Sequence, residues 1–241
     1  MSNKLPLSAI VIANKKGSNP ILSKVLDSLL QAEQVIVFDT GDQPIEDFAK
    51  VRNEALLKAN QEYVLFVDSD EILTKPSWTE IKKIVSDKQA DLVSILRSDI
   101  FLGKELLGGE AANQRLVRMG KKDKLKFVRP VHEIAVVDNN AQLLTSNIKL
   151  LHHSHPDIFS FFQKVSFYSL IDAVMRKEND DFYLISSMLF FPPLKFIFNW
   201  TVMGGYKDGM RGLVYVVLMS LHSFFVRVNG WELRHHQKMV R

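Results

Sequence analysis

Tyr63-Val64-Leu65-Phe66-Val67-Asp68-Ser69-Asp70-Glu71 is the stretch on which the fold turns. Five apolar residues run without alternation and end in three carboxylates within four positions. A continuous apolar run of strand length suits a parallel sheet covered on both faces, whereas a half-exposed strand would alternate. Ligands of open α/β sheets bind beyond the carboxyl ends of the strands, which is where these acids fall.

Outward from this stretch the same pattern recurs. Residues 7–13 and 34–39 are further short runs rich in Val, Ile and Phe. Between the runs lie helical patterns. Ile21, Val25, Leu29 and Leu30 recur at helix spacing after Pro20, which suits a first turn, and Phe48, Val51, Ala55 and Ala59 do the same in the second interval. Two successive βα units predict a doubly wound α/β beginning. Pro76 opens a third helix over 77–85.

Beyond it the alternation loosens. Residues 92–96, 114–119, 134–137 and 148–152 read as strands separated by glycine-rich or charged loops, which predicts a mixed sheet rather than a second Rossmann half. A helical pattern with many aromatics returns over 157–177. The remainder reads as helix with breaks at Pro192-Pro193 and Gly204-Gly205.

At 241 residues the chain is one large domain or a domain with an appendage, and 46% hydrophobic against 24% charged residues excludes wholesale disorder. There is no cysteine, which removes disulfides, thiolate metal sites and Cys nucleophiles together. A net charge of +4 is too small to argue for nucleic acid, and no nucleic-acid partner is expected. The charge is uneven: from Phe182 to Arg241 seven Lys/Arg face Asp208 and Glu232, giving +5 and leaving −1 for the rest. The same tail holds the most apolar segments, without an uninterrupted run of membrane-spanning length. Met1–Pro6 shows no charged head followed by a long apolar body, so no export leader is expected. The sequence thus predicts a cytoplasmic protein, peripheral on the inner face of the plasma membrane through 182–228, with Trp200 and Trp231 as belt residues. Helices covering the sheet, or a dimer surface, are the alternatives for that tail.

Three neighbouring carboxylates repel one another unless a cation or solvent neutralises them. Asp68 and Asp70, two apart, can approach one hard cation together; oxygen ligands select Mg or Mn, which bind through one or two carboxylates plus substrate phosphates. A solvated acidic turn is the alternative. Asp39 closes the second strand before Thr40-Gly41-Asp42, where it could accept from a ribose or base edge or simply form an Asx turn. Arg52-Asn53 lies on the helix preceding the acidic strand, so Arg52 could reach a phosphate or pair with an aspartate. His132-Glu133 enters a strand after Arg129-Pro130-Val131 and could supply a general base, a metal ligand, a phosphate contact or a structural ion pair. His152, His153 and His155 fit no zinc spacing, but one of them could meet a carboxylate-bound metal.

Taken in order, Arg52-Asn53-Glu54-Ala55-Leu56, Ala59, the 63–71 stretch, Arg97, Arg115-Leu116-Val117-Arg118, Val131-His132-Glu133, His152, Pro193-Leu194-Lys195-Phe196 and Gly205-Tyr206-Lys207-Asp208-Gly209 resemble family 2 glycosyltransferases. The closest likeness is to the bacterial branch that includes lipopolysaccharide-core β-glucosyltransferases. The resemblance implies an α/β GT-A fold, Rossmann-like with a mixed central sheet and a helical C-terminal extension. It divides the chain into a catalytic domain over 1–155, with a nucleotide-binding half 1–98 and an acceptor-side half 99–155, and a helical region over 156–241. It implies a nucleotide-sugar donor, UDP-linked, and a glycan or lipid-linked acceptor. Asp39, Arg52, Asn53, Asp68 and Ser69 would line the nucleotide, and Asp70, with Asp68 and His152, the divalent metal. Glu133, or in second place Asp99, would be the base, with His132 beside it.

Two departures from the family pattern stand out. The first strand ends Ala13-Asn14-Lys15-Lys16 where the family commonly has Lys-Asn-Glu, and the second loop reads Asp39-Thr40-Gly41-Asp42-Gln43-Pro44 where Asp-Ser-Gly-Ser-Thr-Asp is usual. A nucleotidyltransferase and a non-catalytic nucleotide-sugar-binding module of the same fold are therefore the competing classes.

Overall fold

A computed structural model describes residues 4–14, 20–41, 45–112, 114–130, 133–175 and 180–239. In chain order these form β1 (Leu5–Ala13), α1 (Leu22–Ser28), β2 (Ala32–Asp39), α2 (Phe48–Leu57), β3 (Tyr63–Asp68), β4 (Glu71–Leu73), α3 (Ser77–Asp87), β5 (Leu92–Phe101), β6 (Lys104–Glu105), β7 (Gln114–Lys121), β8 (Phe127–Val128), β9 (Ile134–Ala135) and β10 (Leu143–His155). Then follow α4 (Ile158–Met175), α5 (Asp181–Ile197), a π-helical turn (Phe198–Val202), a 3-10 turn (Gly205–Asp208) and α6 (Gly209–Met239).

The chain divides into two compact units. The first comprises Met1–Ser98 and Gln114–His152, and the second Asp99–Asn113 and His153–Arg241.

The eight-stranded sheet runs β2-β1-β3-β7-β5-β10-β4, with β6 paired to β5. β1 is parallel to β2 and β3, while β7 is antiparallel to β3 and β5, and β10 to β4. This is an α/β, Rossmann-like mixed sheet with a helical C-terminal extension.

In the first unit the period of two sorts each strand between two cores. Leu7, Ala9 and Val11 with Tyr63, Leu65 and Val67 pack against Val25 of α1, Leu29 just after it, and Trp78, Ile81 and Ile84 of α3. Ile10, Ile12, Val64 and Phe66 face the other way, onto Ala49, Ala55 and Leu56 of α2. Both faces of β1 and β3 are covered, which is why these runs do not alternate in sequence. β2 departs from that expectation. It is the edge strand, mostly half-exposed, with Glu33 and Gln34 between its apolar residues.

β4 is an element that the sequence reading did not anticipate. It pairs Leu73, Ile72 and Glu71 with Leu150, Leu151 and His152 of β10. Nothing local marks so short a strand, because its pairing partner lies far along the chain.

In the second unit Phe101, Leu106 and Ala111 pack with Phe161 and Val165 of α4 and Tyr215 and Leu218 of α6. The expected break at Pro192-Pro193 is corrected: α5 passes through both prolines. They forgo ladder hydrogen bonds without ending the helix. The other expected break, at Gly204-Gly205, is present: the chain departs from α-helix between Phe198 and Gly209, where Gly204 and Gly209 adopt φ of +76° and +57°. Those dihedrals suit glycine, which has no Cβ to clash.

Candidate functional site

Asp68 is the last residue of β3, Asp70 lies in the tight turn after it, and Glu71 begins β4. Because β1 pairs Ile12 with Asp68 and Ala13 with Asp39, the ends of β2 and β3 flank β1 at one carboxyl edge. α2, capped by the Asp47 side chain accepting from Lys50 N–H, carries Arg52 inward to this edge.

Arg52 is 1% exposed, its guanidinium lying near the rings of Phe66 and Phe127 at 5.6 and 5.7 Å. It donates from Nη2 to Asp68 Oδ1 at 2.6 Å and from Nε to Glu133 Oε1 at 2.8 Å. Arg118, on β7, meets the same two acids: Nη2 is 3.3 Å from Asp68 Oδ2 and Nη1 is 3.2 Å from Glu133 Oε1. Two guanidiniums and two carboxylates thus close a compact network, in which Oε2 of Glu133 takes no part.

A second layer supports the first. Glu71 is fully buried; its Oε2 accepts from Asp68 N–H at 2.9 Å, and its Oε1 lies 3.7 Å from Arg97 Nη1. Arg97 also donates to Gln114 Oε1 at 2.6 Å. Register places His152 opposite Glu71, and its Nε2 stands 3.5 Å from Asp70 Oδ2.

Burial raises the Asp68 carboxyl, but the Arg118 and Arg52 charges overcome it and hold Asp68 well below the usual carboxylate range. Burial likewise lowers Arg52, and Asp68 and Glu133 outweigh it, so its charge is held more firmly than normal. Glu71 goes the other way: burial, then the nearby Asp68 charge, push it up.

Asn53 turns its amide to the backbone, donating to Phe127 O at 2.9 Å and accepting from Phe127 N–H at 3.0 Å. It pins β8 to α2. Asp39 forms an Asx turn, accepting from Gly41 N–H at 3.1 Å, beside a cavity of about 620 Å³ lined by Thr40, Ile45, Asp47, Lys50 and Val51. Ser69 is half-buried in the β3–β4 turn. Asp99 belongs to the second unit, where it is buried and accepts from Tyr215 Oη at 3.2 Å. His132 and Asp42 lie outside the described residues.

Among the described residues no group of three or more His, Asp or Glu side chains is placed to hold a metal. Each Asp68 oxygen already faces a guanidinium, so a cation there would stand against two positive charges; Asp68 does not fit as a ligand. Asp70 and His152 do fit a cation whose remaining positions come from phosphate oxygens and water.

Sequence reasoning gave no role to Arg118 and Glu71. Their signal was present in each case: a cation between Val117 and Met119 in an apolar strand, and a third acid in the 68–71 run.

No protein-family model matches the chain. A TPR repeat-containing protein of Synechococcus elongatus is 27% identical over 123 residues, covering 43% of this chain and 29% of that protein. The chain therefore spans less than a third of the length of that curated relative. Among solved structures, the mannosyltransferase PcManGT from Pyrobaculum calidifontis in complex with GDP-Man and Mn2+ superposes with a TM-score of 0.49 at 11% identity, covering 95% of this chain and 87% of that one. TarS 1-349 of S. aureus in complex with UDP-GlcNAc gives a TM-score of 0.35 at 13% identity, covering 95% and 92%. Likenesses this distant say nothing about donor, acceptor or metal in this chain.

Proposed function

We propose that the chain is a glycosyltransferase moving a sugar, a UDP-linked hexose, from a nucleotide-sugar donor to a hydroxyl of a cell-envelope glycan or lipid-linked acceptor, with inversion at the anomeric carbon. One observation carries the reading. Asp68, Asp70 and Glu133 converge with Arg52, Arg118 and His152 at the carboxyl edge of the parallel strands. The ordered motifs from Arg52 to Gly209 support a member of family 2, of the lipopolysaccharide-core β-glucosyltransferase branch.

In this reading Asp39 and the adjoining cavity receive the nucleoside, and Ser69 lies in the turn that follows the donor strand. Asp70 and His152 would hold the divalent cation, Mg or Mn, whose chemistry is to offset charge on the departing diphosphate. Arg52 and Arg118 fix Glu133 by Oε1 and leave Oε2 for the acceptor. The acceptor oxygen forms its bond to the anomeric carbon, the bond from that carbon to the diphosphate oxygen breaks with its electron pair leaving on the diphosphate, and the hydroxyl proton passes to Glu133 Oε2. A single displacement inverts the centre. Asn53 serves the site by holding Phe127, six residues before Glu133.

Calorimetry with a panel of UDP-hexoses, with and without Mn2+, on wild type and Asp70→Ala tests the reading. Metal-dependent binding weakened at least about tenfold by Asp70→Ala is expected. Failure of wild type to bind any nucleotide sugar would overturn it. Diphosphate release from a nucleoside triphosphate would point to nucleotidyl transfer, and binding without transfer or hydrolysis to a non-catalytic module.

A further inference from the structure

The second unit inverts the usual distribution of polarity. The stretch Asp181–Val202 is long and apolar enough to cross a membrane, yet only 11% of its most apolar 18 residues is buried. Phe182, Leu189, Phe190, Leu194 and Ile197 of α5 are each more than half exposed. A helix apolar on every side belongs in a protein core or in lipid. Large apolar residues are exposed on α4 as well, among them Phe159 at 69%, Phe167 at 64% and Val174 at 68%. In the first unit such residues occur singly, as at Leu30, Leu57 and Val137, which is ordinary for a folded surface.

The charges of these helices are turned inward or paired. Asp181 pairs with Arg234 at 2.9 Å, and Lys195 with Glu110 at 3.0 Å; they are the only Asp, Glu, Lys or Arg residues in 181–202. Asp172 of α4 faces His222 of α6 at 3.7 Å. Arg227 is buried under the Phe191 ring, 3.9 Å from its centroid, and donates to Ser223 O at 2.6 Å. Polar groups facing inward with apolar groups facing outward is the arrangement expected of helices bathed in hydrocarbon.

We infer that α5, with the outer face of α4, is embedded in a lipid surface carrying anionic headgroups. Two observations select lipid over a second copy of the chain. At 3.6 residues per turn, Phe182, Tyr183, Ile185 and Phe191 point in directions spread over more than half the circumference of α5, and a flat symmetric partner covers only one side of a helix. Besides Lys195, Arg227 and Arg234, which are turned inward or paired, the segment from Phe182 onward carries cations at its turn. Exposed Lys207 and half-buried Arg211 stand at the α5–α6 turn beside Trp200, which stacks on Phe196 and meets Tyr206 edge-on. Cations next to amphipathic rings suit a headgroup layer.

α5 and α6 form a hairpin. Its turn is tied back to the 107–108 backbone, where Asp208 accepts from Leu107 N–H at 3.0 Å and Gly108 N–H at 2.9 Å, a few residues beyond the β5–β6 pairing.

Because the chain has no cysteine, single-cysteine variants report cleanly. Leu189→Cys and Phe198→Cys, labelled with a polarity-sensitive fluorophore in the full chain, are expected to shift to the blue on phosphatidylcholine vesicles containing phosphatidylglycerol, and less on phosphatidylcholine alone. Leu57→Cys, at an exposed position of the first unit, should not shift. An unchanged spectrum at 189 and 198 would overturn the inference, as would a shift that depends on protein concentration alone, the mark of a dimer surface. Leu189→Asp with Phe190→Asp should reduce vesicle flotation about tenfold or more, with the circular dichroism retained. These outcomes do not depend on whether the donor site binds a nucleotide sugar.

Discussion

Arg52 and Glu133 stand 81 residues apart in sequence, and 2.8 Å separates Nε of one from Oε1 of the other. The same guanidinium holds Asp68, so one buried side chain joins the helix before β3, the end of β3 and the segment entering β9. A cation with two carboxylate partners in a buried setting is the keystone of whatever chemistry the edge performs.

Arg52→Met should destabilise the fold by ~3–5 kcal/mol, because it leaves Asp68 and Glu133 facing one another with only Arg118 between them. Arg52→Lys should recover little, since one ammonium cannot reproduce the forked pairing. Urea denaturation midpoints at neutral pH check both.

Glu71 lends itself to a pH test. Its folded pKa is raised above the ordinary glutamate value of about 4.3. The raised value gives stability that is fully present below the unfolded pKa and lost as pH rises through the folded one. Glu71→Gln keeps an acceptor for Asp68 N–H and removes that ionisation. Variant and wild type should therefore diverge in favour of the variant as pH rises above ~4.3. A difference that is flat from pH 4 to 8, by urea midpoints, would contradict it. Asp68 carries the opposite sign, since its depressed pKa supplies stability that is lost on acidification.

Glu133→Gln should lower transfer by at least about a hundredfold while leaving UDP-sugar affinity within about twofold. Product anomer determined by NMR supplies the companion result: a β-linked product from an α-linked donor.

Asn53→Ala should cost ~1–3 kcal/mol, because the N–H and C=O of Phe127 lose their partner. Thermal melts measure the loss. Calorimetry should find donor affinity largely kept, which separates a positioning role from direct contact.

Gly108→Ala should disrupt the second unit, since a Cβ there would collide with the backbone of Gly204 and Gly205. Backbone cannot yield as a side chain does, so a loss of ~1–3 kcal/mol or more is expected, readable as a lowered melting temperature.

The continuous runs at 7–13 and 63–68 foretold strands covered on both faces, and Pro76 marked the start of α3, because hydrophobic periodicity and proline geometry are local properties. The acids at Asp68 and Asp70 were legible for the same reason, and pairing of Arg52 with an aspartate was one of two open readings. The sequence could not show that Asp68 is enclosed by two guanidiniums. Arg118 reaches it only because β7 runs antiparallel beside β3, and ion pairs across a sheet are set by strand order and register. Nor could it show that Glu71 starts a strand against His152, or that Pro192 and Pro193 sit inside a helix.

The sequence by itself determined the kinds and positions of β1, β2 and β3 and of the helices between and after them, and that carboxylates would crowd a strand end, since these follow from side-chain shape and spacing along the chain. Only the tertiary structure decided which acids are neutralised, which carboxylate is pushed up and which faces of α4 and α5 remain uncovered. Those depend on charges and surfaces brought together from distant parts of the chain, where burial strengthens each electrostatic interaction and packing settles what water still reaches.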